Sequence, residues 1–218
     1  MPDFSILTNN IDMYLEGFKY TVMSSVIALI GSFILGVILA VMRIAPIRIL
    51  NWIGSAFVEF VRNIPLVLIA FIFYFALPVI GVTLNGFVAG TLTLTVYTAA
   101  FIAEVIRAGI LSVAKGQMEA ARSSGLTYTR AMYHVVLPQA MKIVIPPLGN
   151  QFLNLVKNSS ILGIIAGADL MYQGDLISTK TFVTFDVYIF VGMFYLILTI
   201  PLSMLVRYLE KRLAKEAV

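Results

Sequence analysis

Residues 20–42 read YTVMSSVIALIGSFILGVILAVM, 23 consecutive positions without a charged side chain between Lys19 and Arg43. A helix needs about 20 mostly apolar residues to cross the hydrocarbon core of a bilayer. A helix in water would need a polar face along the same length, and this stretch offers little of one. Two further stretches behave alike: 41 uncharged residues separate Arg62 from Glu104, and 20 separate Asp186 from Arg207. The longer of these is about right for two crossings with a tight turn between them. With 60% hydrophobic and 12% charged residues over 218 positions, the chain has more apolar surface than one soluble core of its size could hide.

These runs predict an all-α integral membrane protein, a single transmembrane domain over residues 1–218 with five transmembrane helices. The crossings are expected at about 20–42, 65–80, 87–111, 141–165 and 187–206. Gly31 and Gly36 in the first permit close helix contact. A sixth crossing through 51–60 is the alternative count. Lys and Arg alternate between rich and poor connections. Arg43, Arg48 and Arg62 join crossings one and two; Arg107, Lys115, Arg122, Arg130 and Lys142 flank the connection of three and four; Arg207, Lys211, Arg212 and Lys215 fill the tail. The opposite side has only Lys19 and Lys180. By the positive-inside rule the N-terminus is outside and the C-terminus cytoplasmic, which requires an odd number of crossings.

Other classes fall away on composition. There is no cysteine, so neither a disulfide framework nor a thiolate metal site is available. The net charge of +4 is accounted for by residues beside membrane segments, which favours topology over nucleic acid. Asp3, Asp12 and Glu16 oppose a cleavable signal peptide, whose n-region is basic.

The connection at about 112–139 is too polar to span a membrane. Residues 117–124 are rich in helix formers, and Gly125 is placed as the left-handed residue that stops a helix, with Leu126 beyond it to pack back. Thr127 can cap a second short helix, which is expected to end near Leu137 because Pro138 disfavours helical geometry before it. Such an element either transmits force from a soluble partner or lies along lipid headgroups as an amphipathic connector.

Glu119-Ala120-Ala121, three residues, Gly125, nine residues, then Val135, one residue and Leu137-Pro138 resemble the EAA loop of the membrane subunits of bacterial ATP-binding-cassette importers. Val135 stands where that family usually has Ile. The resemblance extends over most of the chain and is closest to the polar amino acid permeases of the histidine, glutamine and arginine uptake group. It includes Arg62-Asn63-Ile64-Pro65-Leu66, Glu104-Val105-Ile106-Arg107-Ala108-Gly109-Ile110, Gly116-Gln117-Met118 ahead of Glu119, and Leu137-Pro138-Gln139-Ala140. Asn150-Gln151 and the run from Leu155 to Ser160 also resemble that group, which often has Asp-Thr in place of Asn158-Ser159.

The resemblance implies a permease subunit that forms half of a translocation pore in the bacterial cytoplasmic membrane. Its implied partners are a second permease subunit, identical or paralogous, a cytoplasmic ATP-binding-cassette ATPase, and an extracytoplasmic solute-binding protein. Glu119, Ala120, Ala121, Gly125, Leu137 and Pro138 would form the coupling loop that docks on the ATPase. ATP and Mg are used by that partner; no cofactor is expected here, since the chain has no Walker-type glycine-rich sequence and is not expected to be an enzyme.

Charged groups inside crossings are candidates for a substrate path, because lipid exposure costs roughly 2.5–3.5 kcal/mol each on insertion scales. Lys157 lies well inside crossing four, and Asn150, Asn154 and Asn158 recur every four residues beside it. In crossing three, Tyr97 and Glu104 are seven apart on a similar face, with Arg107 three further on. Glu104 or Glu59 could meet an α-ammonium, and Lys157, Arg107 or Arg62 an α-carboxylate; the alternative is that these groups neutralise one another or contact a second subunit. The rival functions are a methionine-type importer permease, an ATP-independent channel or secondary transporter, and a membrane-embedded enzyme, for which no convincing set of acids, histidines or nucleophiles is present.

Overall fold

A computed structural model describes residues 3–215, with side chains placed up to residue 212; the Lys215 side chain, residues 1–2 and residues 216–218 lie outside what it describes. All the regular structure in that range is helical: α1 (Phe4–Asn9), α2 (Ile11–Ile44), α3 (Arg48–Asn63), α4 (Leu66–Phe71), α5 (Gly86–Ser112), α6 (Lys115–Ser123), α7 (Tyr128–Ala131), α8 (Leu137–Asn158), α9 (Leu170–Thr181) and α10 (Phe185–Lys215). By length and composition α2, α5 and α10 can each cross a membrane. A fourth candidate is the pair formed by α3 and the segment Leu66–Ile80, bent by 107° between them. The 22-residue α8 is not among these candidates.

The side chains of α2 are distributed inside out relative to a helix in water. Between Thr21 and Ala40 its buried face is small apart from Leu39, with Thr21, Ser24, Ser25, Ala28, Ser32, Gly36 and Ala40, while Ile27, Ile30, Ile34, Ile38 and Val41 stand exposed. Lipid tails are as apolar as isoleucine, so burial of such side chains gains little, and small residues that bring backbones close are favoured inside. The contact they permit is with α5. A β-carbon on Gly36 would lie 2.6 Å from Ile102 Cγ2, and one on Gly31 would lie 2.9 Å from Thr95 Cγ2. Around this α2–α5 spine, Leu39, Ala40, Val58, Val61, Ile69 and Ala99 pack at the α3 end, and Ala28, Ala89, Leu94, Leu155 and Leu162 pack further along.

Several sequence expectations change in detail. The helix beginning at Tyr128 does not end at Leu137. A π-helical turn, Met132–Val136, carries it straight into α8, with the Leu137 N–H bonded to the Met132 carbonyl. Pro138 is the second residue of α8, and the wide turn just before it accommodates a residue that has no N–H to donate. The helix α8 runs on through Pro146 and Pro147. The stretch expected as crossing four closes as a 3₁₀ segment, Ser159–Ile165, and a further helix, α9, follows it before α10. Finally, residues 51–60 lie within a separate 16-residue helix, α3.

Candidate functional site

The short-helix pair at 112–139 is built from local signals. Thr127 accepts the Arg130 N–H through its hydroxyl and so caps α7. Gly125 has φ +87°, and the flanking bonds, Leu126 N–H to the Ala121 carbonyl and Gly125 N–H to the Arg122 carbonyl, close α6 as a Schellman turn. Glu119, Ala120 and Gly125 are exposed and Ala121 is buried; Pro138 is exposed and Leu137 half-buried. The element is tied to the bundle at its base. Met118 packs with Ile110, Val113, Val136 and Ala140, and the Gln139 amide donates to Gln117 Oε1 at 3.3 Å. These contacts join α6 to the ends of both α5 and α8.

Four of the charged candidates come together at the junction of α2, α3 and α5. Glu104 receives Arg107 Nη2 at 2.7 Å and Arg107 Nε at 3.1 Å. Arg62 Nη1 stands 3.6 Å from Glu104 and 3.7 Å from Glu59, with its guanidinium 5.6 Å above the Phe101 ring. Tyr97 adjoins through that ring, centroid to centroid 4.9 Å. Sequence reasoning missed the centre of this cluster. Arg43 donates to Glu104 Oε2 at 2.6 Å and to Glu59 Oε1 at 3.1 Å, and its side chain is 7% exposed. Its position at the end of an uncharged run was the available signal, and the positive-inside account of that residue absorbed it.

The α8 candidates are elsewhere and do not share one pocket. Asn150, Asn154 and Lys157 are exposed on the chain. Lys157 lines a hollow of about 400 Å³ against Thr199, Ser203 and Arg207 of α10. Asn158 lines a different one of about 240 Å³, with Ser160, Met171 and Asp175, whose carboxylate accepts the Tyr188 hydroxyl.

A second polar group was also missed. Asp169, fully buried, caps α9 by accepting the Met171 and Tyr172 N–H groups, and also accepts the Tyr195 hydroxyl at 3.3 Å. The neighbouring Leu170 N–H donates to Thr21 of α2 at 3.0 Å. Burial pushes the Asp169 carboxyl up to about 6, against the opposing pull of the two backbone donors. An Asp before a helical segment is a recognisable cap signal.

Residues 13–215 match the family described as binding-protein-dependent transport system inner membrane component. The chain is 69% identical, over 97% of its length and 98% of the relative's, to a Bacillus subtilis (strain 168) protein named probable glutamine ABC transporter permease protein GlnM. It is 34% identical, over 97% of both chains, to the glutamine transport system permease protein GlnP of Escherichia coli (strain K12). Among solved structures, the crystal structure of an amino acid ABC transporter with histidines superposes with a TM-score of 0.91 at 33% identity, covering 97% of this chain and 99% of that one.

Proposed function

The chain belongs to the family of binding-protein-dependent transport system inner membrane components, and we propose that it serves there as one of two permease subunits in an ATP-driven importer of polar amino acids, with glutamine the first candidate. It is a membrane permease and not an enzyme; ATP hydrolysis belongs to a separate subunit. The relatives named for glutamine favour a polar cargo over the methionine-type alternative. They equally disfavour a channel or secondary transporter that works without ATP.

The observation that carries the coupling part of this reading is the exposed α6–Gly125–α7 element, anchored at its base to α5 and α8. In our reading Glu119, Ala120, Ala121 and Gly125 dock on the ATPase, with Leu137 and Pro138 at the hinge into α8. A push on α6 then reaches the two helices most closely tied to it. In the same reading α2, Leu66–Ile80, α5, α8 with its 3₁₀ extension, and α10 are the five crossings, the N-terminus is outside, and α6 and the C-terminus are cytoplasmic in the bacterial inner membrane.

The failure of α8 to qualify as an apolar span supports a path along it. Asn150, Asn154 and Lys157 are exposed on the single chain, and a lysine facing hydrocarbon costs roughly 2.5–3.5 kcal/mol. That face is instead given to the pore and the second subunit, with Asn154, Lys157 and Asn158 as candidate contacts for the cargo. Glu59, Arg62, Glu104 and Arg107 satisfy one another through Arg43, so a structural role suits them better than direct substrate binding. Affinity purification of the tagged chain from its native membrane tests the assembly: a stoichiometric ATP-binding-cassette ATPase is expected, and a chain that purifies without one contradicts it.

A further inference from the structure

A hollow of about 380 Å³ opens at the α6 end of the bundle, between α2, α5, α6 and the start of α7. Arg43, Arg107 and Lys115 line it, and none of its lining residues is acidic. Arg43 is only 9% exposed, and although its two Nη atoms are engaged by Glu59 and Glu104, its buried Nε has no hydrogen-bond partner among the described residues. The surrounding ion pairs are not balanced. Arg43, Arg62 and Arg107 face two carboxylates, which leaves positive charge in excess before Lys115 is added.

Apart from Tyr128, the remaining wall of the hollow is apolar and leads on. Ile44, Ile110 and Met132 also line a second cavity, of about 350 Å³, whose lining side chains are all apolar. This groove follows α2 from Ile44 back to Phe33, with Ile106 of α5 and Val144 and Leu148 of α8 on its other side. At the rise of an α-helix that distance is about 16 Å. The hydrocarbon core is about 30 Å thick, so the groove reaches one leaflet deep.

A pocket with surplus positive charge, joined to an apolar groove one leaflet long, has the polarity and dimensions of one phospholipid. We propose that it is a binding site for an anionic glycerophospholipid of the leaflet at the α6 end. The phosphate sits among Arg43, Arg107 and Lys115, and one acyl chain lies along Val37, Val41 and Val144. Zwitterionic lipids bring their own cation into a pocket already rich in cations and bind less well. Free phosphate fills the pocket but leaves the groove empty. Because Lys115 opens α6 and Met118 also lines the hollow, a seated lipid braces α6 against α2 and α5.

Native mass spectrometry of the full chain, titrated with dioleoyl phosphatidylglycerol and dioleoyl phosphatidylcholine, tests this. The wild type is expected to bind one phosphatidylglycerol per chain, with a preference over phosphatidylcholine of about tenfold, the scale set by one or two extra cations near an anionic headgroup. Lys115→Glu is expected to abolish the preference, and Val41→Trp, which fills the groove from an exposed position, to weaken both lipids about tenfold or more. Both positions are exposed, so the variants are expected to keep the wild-type circular dichroism spectrum. Equal affinity of the wild type for the two lipids, or unchanged binding in both variants, overturns the proposal. So does displacement by inorganic phosphate that Val41→Trp leaves unaltered, which would reduce the site to a free-anion pocket.

Discussion

Arg43 holds two carboxylates from two other helices, and its burial makes it the most consequential residue of the ion-pair cluster. Arg43→Ala removes two charge-assisted hydrogen bonds from a buried guanidinium, while Glu104 keeps Arg107 and Glu59 keeps Arg62; it is expected to destabilise the detergent-solubilised chain by about 2 kcal/mol. Arg62→Ala, with partners at 3.6 and 3.7 Å and 30% exposure, is expected to cost less than about 1 kcal/mol. Thermal unfolding of the two variants should show this order. Asp169 supplies a pH test. Its folded carboxyl is raised to about 6, above its value of 3.8 in the unfolded chain, so the native state holds the proton more tightly. Its contribution is then greatest below the unfolded value and is lost as pH rises through about 6, a change on the order of 3 kcal/mol. The stability of wild type relative to Asp169→Asn, followed between pH 4 and pH 7, is expected to fall with rising pH; a flat difference would remove the buried-carboxyl account. Glu59, Arg62, Glu104 and Arg107 were legible in sequence as charges within or beside apolar runs. Their common partner was not, because Arg43 is 16 and 61 residues away from the two acids it joins and nothing local marks such a pairing.

At the scale of elements, the α6–α7 pair was readable because each of its signals is local: helix formers, a left-handed glycine at Gly125, and a threonine cap at Thr127. Gly125→Asp places a β-carbon on a backbone with φ +87° and a charge at the proposed docking surface; the strain is about 1 kcal/mol, too little to prevent insertion. The variant is expected to reach the membrane at wild-type levels and to lose ATPase pull-down or transport. Wild-type pull-down together with wild-type transport would refute the docking role. Pro138 misled the reading because the argument against helix before a proline assumes regular α-helical turns, and the π turn at Met132–Val136 removes the conflict. The helix α3 was missed for a different reason. Gly54, Val58 and Val61 are its buried stripe, but Ile53, Phe57 and Phe60 beside them remain exposed, so its pattern is neither a plain span nor a plain surface helix.

For the molecule as a whole, the charge-free runs identified the apolar helices and their rough limits, since hydrocarbon thickness sets a length that sequence displays directly. A crossing is expected at 141–165 although α8 is too polar to count as a span by length and composition, and its place against α5 and α10 ties it to the bundle. The most direct measurement is uptake of radiolabelled glutamine into proteoliposomes containing the purified complex, with ATP inside and the solute-binding protein outside. The account predicts ATP-dependent accumulation against a gradient, competed by unlabelled glutamine and not by methionine, with Asn154→Ala or Lys157→Ala altering the kinetics several-fold. Accumulation that proceeds equally without ATP, or that methionine competes as well as glutamine does, would contradict it.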